Sequence, residues 1–291
     1  MKSKTNLKNL LAVLAISTVA SLALGQDSQS VSSAGATQTT SANISDTAAK
    51  APSKLEMTYF GIYVGPSVTN TGESAQVNPS TGQLDPAGWP QVLENQIKLN
   101  YKFTDNIFIG PVLNFYFFPG QTSNSIMQDS GIRLGSKSLY KNGGFKLAGD
   151  VRALAPVTPG DHRKNAAFLY EGILNATYAI PESKWTVGLL SFNKLHTYNN
   201  NAVGHLDAEL YAAPNVNWQF SQKLAATMYV EFYPQHTIGE EGWGLYQPFD
   251  INPGINWDIT DNFSLNPGLV FYPTSTLAST SAIMYISDKI F

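Results

Sequence analysis

The stretch NWDITDNFSLNPG, residues 256–268, sets apolar side chains at every second place around a polar turn: Ile255, Trp257 and Ile259 before it, Phe263, Leu265 and Pro267 after it. Asn252, Asn256 and Asp258, then Ser264 and Asn266, fill the alternate places. Successive side chains of a strand point to opposite faces, so this period of two reads as a hairpin with one apolar and one polar face on each strand. NYKFTDNIFIGP at 100–111 and NWQFSQKLAAT at 217–227 repeat the design.

Working outward, short polar turns centre near Asp105 (FTDN), Asn142 (YKNGG), Glu182 (IPESK), Gln222 (FSQK) and Asp261 (ITDN). Their spacing of roughly 37 to 40 residues is that of a strand, a tight turn, a strand and a longer loop. Stretches rich in Gly, Pro, Ser and Asn fall between them, at 69–90, 119–131, 156–167, 196–206, 235–248 and 273–281. Five hairpins make ten strands, and Leu55–Pro66 with Ala282–Phe291 bring the total to twelve. The fold class expected is all-β: a closed antiparallel up-and-down transmembrane β-barrel of about 12 strands, with short turns on the side of both termini. Closure leaves no edge strand and satisfies the backbone polar groups without water, the condition for crossing lipid.

The alternation assigns Leu93, Ile97, Leu99, Ile107, Ile109, Leu113, Leu210, Val216, Met228 and Val230 to the outer face. Aromatic residues gather at both ends of it. Tyr101, Trp185, Trp218 and Trp257 lie next to the short turns, and Phe117, Phe232 and Phe271 next to the loops, as two interfacial girdles require. A soluble β-sandwich is the competing architecture, since alternation alone suits both. Pro111, Pro214, Pro253 and Pro267 fall inside strands, where a ladder donor is lost, and predict bulges or strong twist.

This organisation resembles the bacterial outer-membrane β-barrels of the porin-like class, over residues 55–291 and at the level of pattern rather than of one family. The chain ends on Phe291, which is similar to the terminal aromatic such barrels present as an insertion signal, although Ser287 and Lys289 stand where apolar residues are usual. The resemblance implies outer-membrane lipid, lipopolysaccharide and the barrel insertion machinery as partners.

Residues 1–25 have a basic start (Lys2, Lys4, Lys8), an apolar run from Leu10 to Leu24 and small residues at Ala23 and Gly25. They read as a signal peptide, the run being too short to span a bilayer. Residues 26–54, mostly Ser, Thr, Ala and Gln without an aromatic, read as a disordered periplasmic tail. Cysteine is absent, so neither a lipid-modified cysteine nor a disulfide framework is available. Losing the leader leaves 15 basic against 21 acidic residues, about −6, which argues against nucleic acid as a partner.

The polar face lines the lumen, and its charges sort by strand. Lys98, Lys102, Arg133, Lys137, Lys146 and Arg152 form a basic wall, with Glu94 and Asp150 in the minority; Glu171, Asp207, Glu209, Glu231 and Asp258 form an acidic wall opposite. Inward aromatics (Phe108, Tyr116, Tyr211, Tyr229, Tyr233 and Tyr272) narrow the lumen, since twelve strands enclose an intermediate width. Opposed charged walls predict a channel for passive diffusion of small polar solutes. A filled, non-conducting barrel with a structural, adhesive or receptor role is the alternative, because buried charges seek partners. An outer-membrane lipid-modifying enzyme is a further one, and the chain is read as not an enzyme. His162, His196, His205 and His236 lie in or beside loops without nucleophile or metal-ligand spacing. Neither cofactor nor metal is expected, and monomer and trimer both fit.

Overall fold

A computed structural model describes residues 53–68, 77–78, 83–84, 91–119, 125–200, 202–245, 249–273 and 280–291. The leader at 1–25 and nearly all of the tail at 26–54 lie outside the described residues. The chain forms twelve long strands: β1 Leu55–Ser67, β2 Val92–Lys102, β3 Ile107–Phe117, β4 Ser125–Asn142, β5 Phe145–Ala155, β6 Ala166–Ala179, β7 Trp185–Tyr198, β8 Leu206–Gln219, β9 Leu224–Glu231, β10 Asp250–Asp258, β11 Phe263–Val270 and β12 Ser281–Lys289. Each pairs antiparallel with its sequence neighbours, and β12 pairs back onto β1 from Thr58↔Lys289 to Ser67↔Ser281, which closes the barrel. A single helical turn, Pro159–Arg163, is capped by the Thr158 hydroxyl, which accepts from the Asp161 backbone N–H.

The quoted repeat is a turn with a side-chain lock. In each copy a hydroxyl at the first turn position accepts the backbone N–H groups two and three residues on. Thr104 takes those of Asn106 and Ile107, Ser221 those of Lys223 and Leu224, and Thr260 those of Asn262 and Phe263. Short hydroxyl side chains satisfy turn backbone locally. The preceding apolar residue then donates its N–H to the carbonyl that restarts the ladder, as Phe103 does to Ile107, Phe220 to Leu224 and Ile259 to Phe263. The YKNGG turn instead uses Gly143 at φ +55°, and IPESK holds Glu182 at φ +55°.

Two expected loops are partly strand. Residues 125–131 of the 119–131 loop extend β4, and within 235–248 the segment Pro234–Thr237 pairs with both β8 and Trp243–Leu245, lengthening the wall on the loop side. A short ribbon, Val77–Asn78 with Gln83–Leu84, lies in the β1–β2 connection.

Bulges or strong twist are expected at the prolines, and a bulge forms beside one of the four. A bulge falls between Val112 and Asn114, beside Pro111, but Pro214, Pro253 and Pro267 thin the ladder without moving its register. The β8–β9 pairing skips from Asn215↔Tyr229 to Ala212↔Phe232, and β10–β11 retains Gly254↔Gly268, Trp257↔Leu265, Asp258↔Ser264 and Ile251↔Phe271. A proline removes one donor, while the unbroken inside–outside alternation on both neighbours still pins the register.

The outer face is apolar and open. Ile132, Leu134, Val151, Leu189, Met228 and Ile255 are exposed along mid-strand, with Tyr101, Trp185, Trp218 and Trp257 exposed near the short turns and Phe117 and Phe232 near the loops. Trp185 and Trp218 stack at 5.9 Å between ring centres, across directly paired positions of β7 and β8. Phe271 lies just past β11, bridged to Ile251, and Phe291 is exposed, its carbonyl accepting the Met57 N–H at 3.1 Å.

Candidate pore lining

Seven consecutive strand pairings bring one charged row together. Glu56 of β1 lies opposite Asn100 of β2, which neighbours Gly110 of β3; Gly110 is paired with Arg133, Arg133 with Arg152, Arg152 with Glu171, Glu171 with Lys194 and Lys194 with Glu209. Glu56 is the second residue of β1 from the short-turn end, and Glu209 the fourth of β8 from the loop end. Strands in a closed barrel tilt against its axis, so a row perpendicular to them climbs the wall. The charges form a spiral stair from one mouth of the barrel to the other.

Side-chain bonds join several of these steps, though not all. At the foot, the Glu56 carboxylate receives Lys137 at 2.7 Å, Lys102 at 3.0 Å and Lys289 at 3.9 Å. Arg133 donates through Nε and Nη2 to Asn100 Oδ1, at 3.1 and 2.8 Å, and through Nη1 to Asp150 Oδ2 at 3.3 Å. Gly110 makes the first of these reaches possible: a Cβ there would fall 1.7 Å from the Leu99 carbonyl oxygen, so no larger residue fits between Asn100 and Arg133. The Arg133 guanidinium also lies 4.5 Å over the Phe108 ring. Arg152 binds Asp150 at 2.6 Å and Glu171 at 3.0 Å. Two arginines directly across a ladder repel, and Asp150, shared between them, offsets that repulsion.

Higher up, Glu209 takes the His196 imidazole at 2.6 Å and Lys194 at 4.0 Å. Sequence reasoning missed both partners. Lys194 and His196 stand two apart on β7 and share the inward parity of Phe192, a signal available in the alternation once β7 is extended to Tyr198. His196 is therefore a lumen residue and not a solvated loop histidine.

The arrangement differs from two segregated walls. Lys98, Arg133 and Arg152 are inward and buried, with Lys98 5.7 Å over the Phe60 ring, but Asp150 and Glu171 are interleaved with the arginines on the same side, and Lys194 breaks the acidic side. Lys102 and Lys137 converge on Glu56, and Lys146 Nζ is buried near the short-turn end with no hydrogen-bond partner among the described residues. Asp258 accepts from Asn256 at that same end. Asp207 is at the loop-side rim, where its Oδ1 meets His236 Nδ1 at 2.6 Å.

The far side of the lumen is lined by tyrosines and carboxylates. Phe192 and Tyr211 stack at 4.1 Å, Tyr233 packs edge-on to both, and Tyr229 lies 6.4 Å from Tyr285. Glu231 lies among Tyr211, Asn252 and Tyr285. Tyr116 contacts Phe118 edge-on at 6.2 Å, and Tyr272 follows β11 at the loop end. Val112, Leu154 and Leu169 add an apolar cluster inside the barrel. Among the described residues no group of three or more His, Cys, Asp or Glu is placed to hold a metal ion.

His236 lies beyond the Phe232 girdle, bonded to Asp207 and 5.6 Å from the Trp243 ring. The hydrogen bond to Asp207 raises its pKa above the ordinary 6.5. A raised pKa means the folded state favours the imidazolium, so the contact is complete below pH 6.5 and fades as pH rises through the raised value. Limited proteolysis of the 235–248 segment is expected to accelerate on that rise in the native protein and to lose its pH dependence in His236→Gln.

No protein-family model and no curated protein matches the chain. Among solved structures, an outer-membrane channel from Pseudomonas putida F1 is 11% identical with a TM-score of 0.47, covering 85% of this chain and 100% of its own. The NanC porin is 8% identical (TM-score 0.45, 81% and 100% covered), and the KdgM porin, solved in complex with disordered oligogalacturonate, is 7% identical (0.44, 81% and 99%). The assignment rests on the molecule's own ladder, short-turn and long-loop asymmetry and apolar exterior: this chain folds as a closed twelve-stranded, porin-like β-barrel of the outer-membrane class.

Proposed function

We infer that the protein is a narrow outer-membrane channel for passive diffusion of small polar solutes, exported by its 1–25 leader and inserted by the barrel machinery among lipid and lipopolysaccharide. The observation that carries this is the stair: a continuous run of charged and amide side chains joins the two mouths inside an apolar shell. Charged linings are how pores select among solutes. Arg133 and Arg152, on strands four and five, lie nearly half the twelve-strand circumference from Glu231 and Asp250, on strands nine and ten. That spacing supports a field across the lumen, which orients dipolar solutes.

A filled lumen is the second reading, favoured by burial: Lys98 and Arg133 are each 4% exposed and Asn100 1%. Single-channel recording in a planar bilayer decides between them. The channel is expected to show a small, steady conductance, and Lys98→Gln with Lys194→Gln to shift the reversal potential under a salt gradient toward cation selectivity. Electrical silence from protein shown to be folded transfers the function to the loops, as adhesin or receptor.

A further inference from the structure

Glu231 closes β9 and Asp250 opens β10, and the two are direct register partners with both side chains turned inward. Two pairs further down, on the same face, Tyr229 is paired with Asn252. Asn252 Nδ2 donates to Asp250 Oδ1 at 3.1 Å, and the same side chain lies beside Glu231. Its other amide atom is the exception. Asn252 is 3% exposed, and Oδ1 is buried with no hydrogen-bond partner among the described residues.

A buried carbonyl oxygen left unpaired costs about 1–3 kcal/mol, and one beside two carboxylates has chosen the worst neighbours for an acceptor. Turning the amide over brings no relief, because its oxygen would then face the carboxylates its nitrogen now serves. The two amide atoms share one carbon, so Oδ1 sits at the margin of the same oxygen group, which the Tyr211 and Tyr285 hydroxyls complete through Glu231. Adjacent carboxylates, an orphan amide carbonyl and hydroxyls are the ligand set of a hard cation, and Ca²⁺ takes 6–8 such oxygens in flexible geometry. Mg²⁺ suits the cluster less, since it demands a near-ideal octahedron and keeps its waters.

The geometry points to a lumenal Ca²⁺ site formed by Glu231, Asp250 and the Asn252 carbonyl, clamping β9 to β10 at the loop-side end. This is where the ladder ends, so the ion joins two strands where the backbone ceases to. The site stands whether or not the lumen conducts.

Terbium, a luminescent substitute for Ca²⁺, tests it directly, because Tyr211, Tyr229 and Tyr285 surround the site and can sensitise its emission. The full chain in detergent, stripped with chelator, is expected to give saturable tyrosine-excited Tb³⁺ emission that Ca²⁺ displaces. Even outer-shell groups cost 10–100-fold in metal affinity, so Asn252→Ala is expected to weaken Tb³⁺ at least about tenfold and Asp250→Asn to abolish saturation. Glu240→Gln with Glu241→Gln, in the exposed loop, leaves the titration unchanged. Should Asp250→Asn not fold, Asn252→Ala carries the test, as it removes no charge. Absent saturable emission, or emission that survives Asn252→Ala at full affinity, overturns the site and leaves a proton shared between the carboxyl groups as what holds them together.

Discussion

Arg152→Ala is expected to destabilise the folded barrel by about 3–5 kcal/mol, the cost of breaking a buried ion pair from one side. The magnitude follows from what remains behind. Arg152 bridges Asp150 at 2.6 Å and Glu171 at 3.0 Å, and all three side chains are 10% exposed or less. Removing the cation leaves two buried carboxylates diagonal to each other on neighbouring strands, with Arg133 alone at 3.3 Å from Asp150. Reversible urea unfolding in detergent micelles, followed by the mobility difference between folded and unfolded chains on unheated gels, measures the loss. The triple change Arg152→Met, Asp150→Asn, Glu171→Gln is expected to recover most of it, because neutral groups of similar volume carry no desolvation penalty. A loss under about 1 kcal/mol has a definite meaning as well: it places these groups in bulk-like water, where ion pairs contribute little, and so describes a wide, hydrated lumen.

The second large effect is expected on the outer face. Ile132, in the middle of β4, is 52% exposed with its neighbours Pro111 and Ala153 also on the outside. In a barrel crossing lipid, Ile132→Arg is expected to cost about 2–4 kcal/mol, as arginine does at the bilayer midplane, while Phe103→Arg, beside a short turn, costs about 0–1. Folding free energies in bilayers of defined thickness, from the same urea titration, give both numbers. The depth dependence is the discriminating feature. An apolar surface buried against protein penalises both positions, and one facing water penalises neither.

Legibility divides along a physical line. Strand alternation is local, since each side chain's face is set by its own position in the pleat, and the lock at Thr104, Ser221 and Thr260 spans only three residues. The strands and five turns could therefore be read directly, and the alternation separates Phe108, Tyr211 and Arg133, which are buried, from Met228 and Trp218, which are exposed. Closure was legible because an even hairpin array with both ends on one side must hide its edges. Pro214 and Pro267 misled for a related reason. A donor lost in one strand looks decisive when that strand is read alone, yet register is held by its two neighbours, which the sequence presents elsewhere.

Read alone, the sequence carries the class of molecule: an all-β chain of twelve strands with one apolar and one polar face, joined by alternating short turns and long loops. Only the tertiary structure decided how the lumen charges combine. Alternation assigns a face but carries no height, and the height at which Arg152, Glu171, Lys194 and Glu209 stand depends on the stagger of every intervening strand pair. A change of one residue in any register moves an acid away from its base. Charges grouped along the chain into basic and acidic strands thus become, in the barrel, a spiral in which acids and bases interleave.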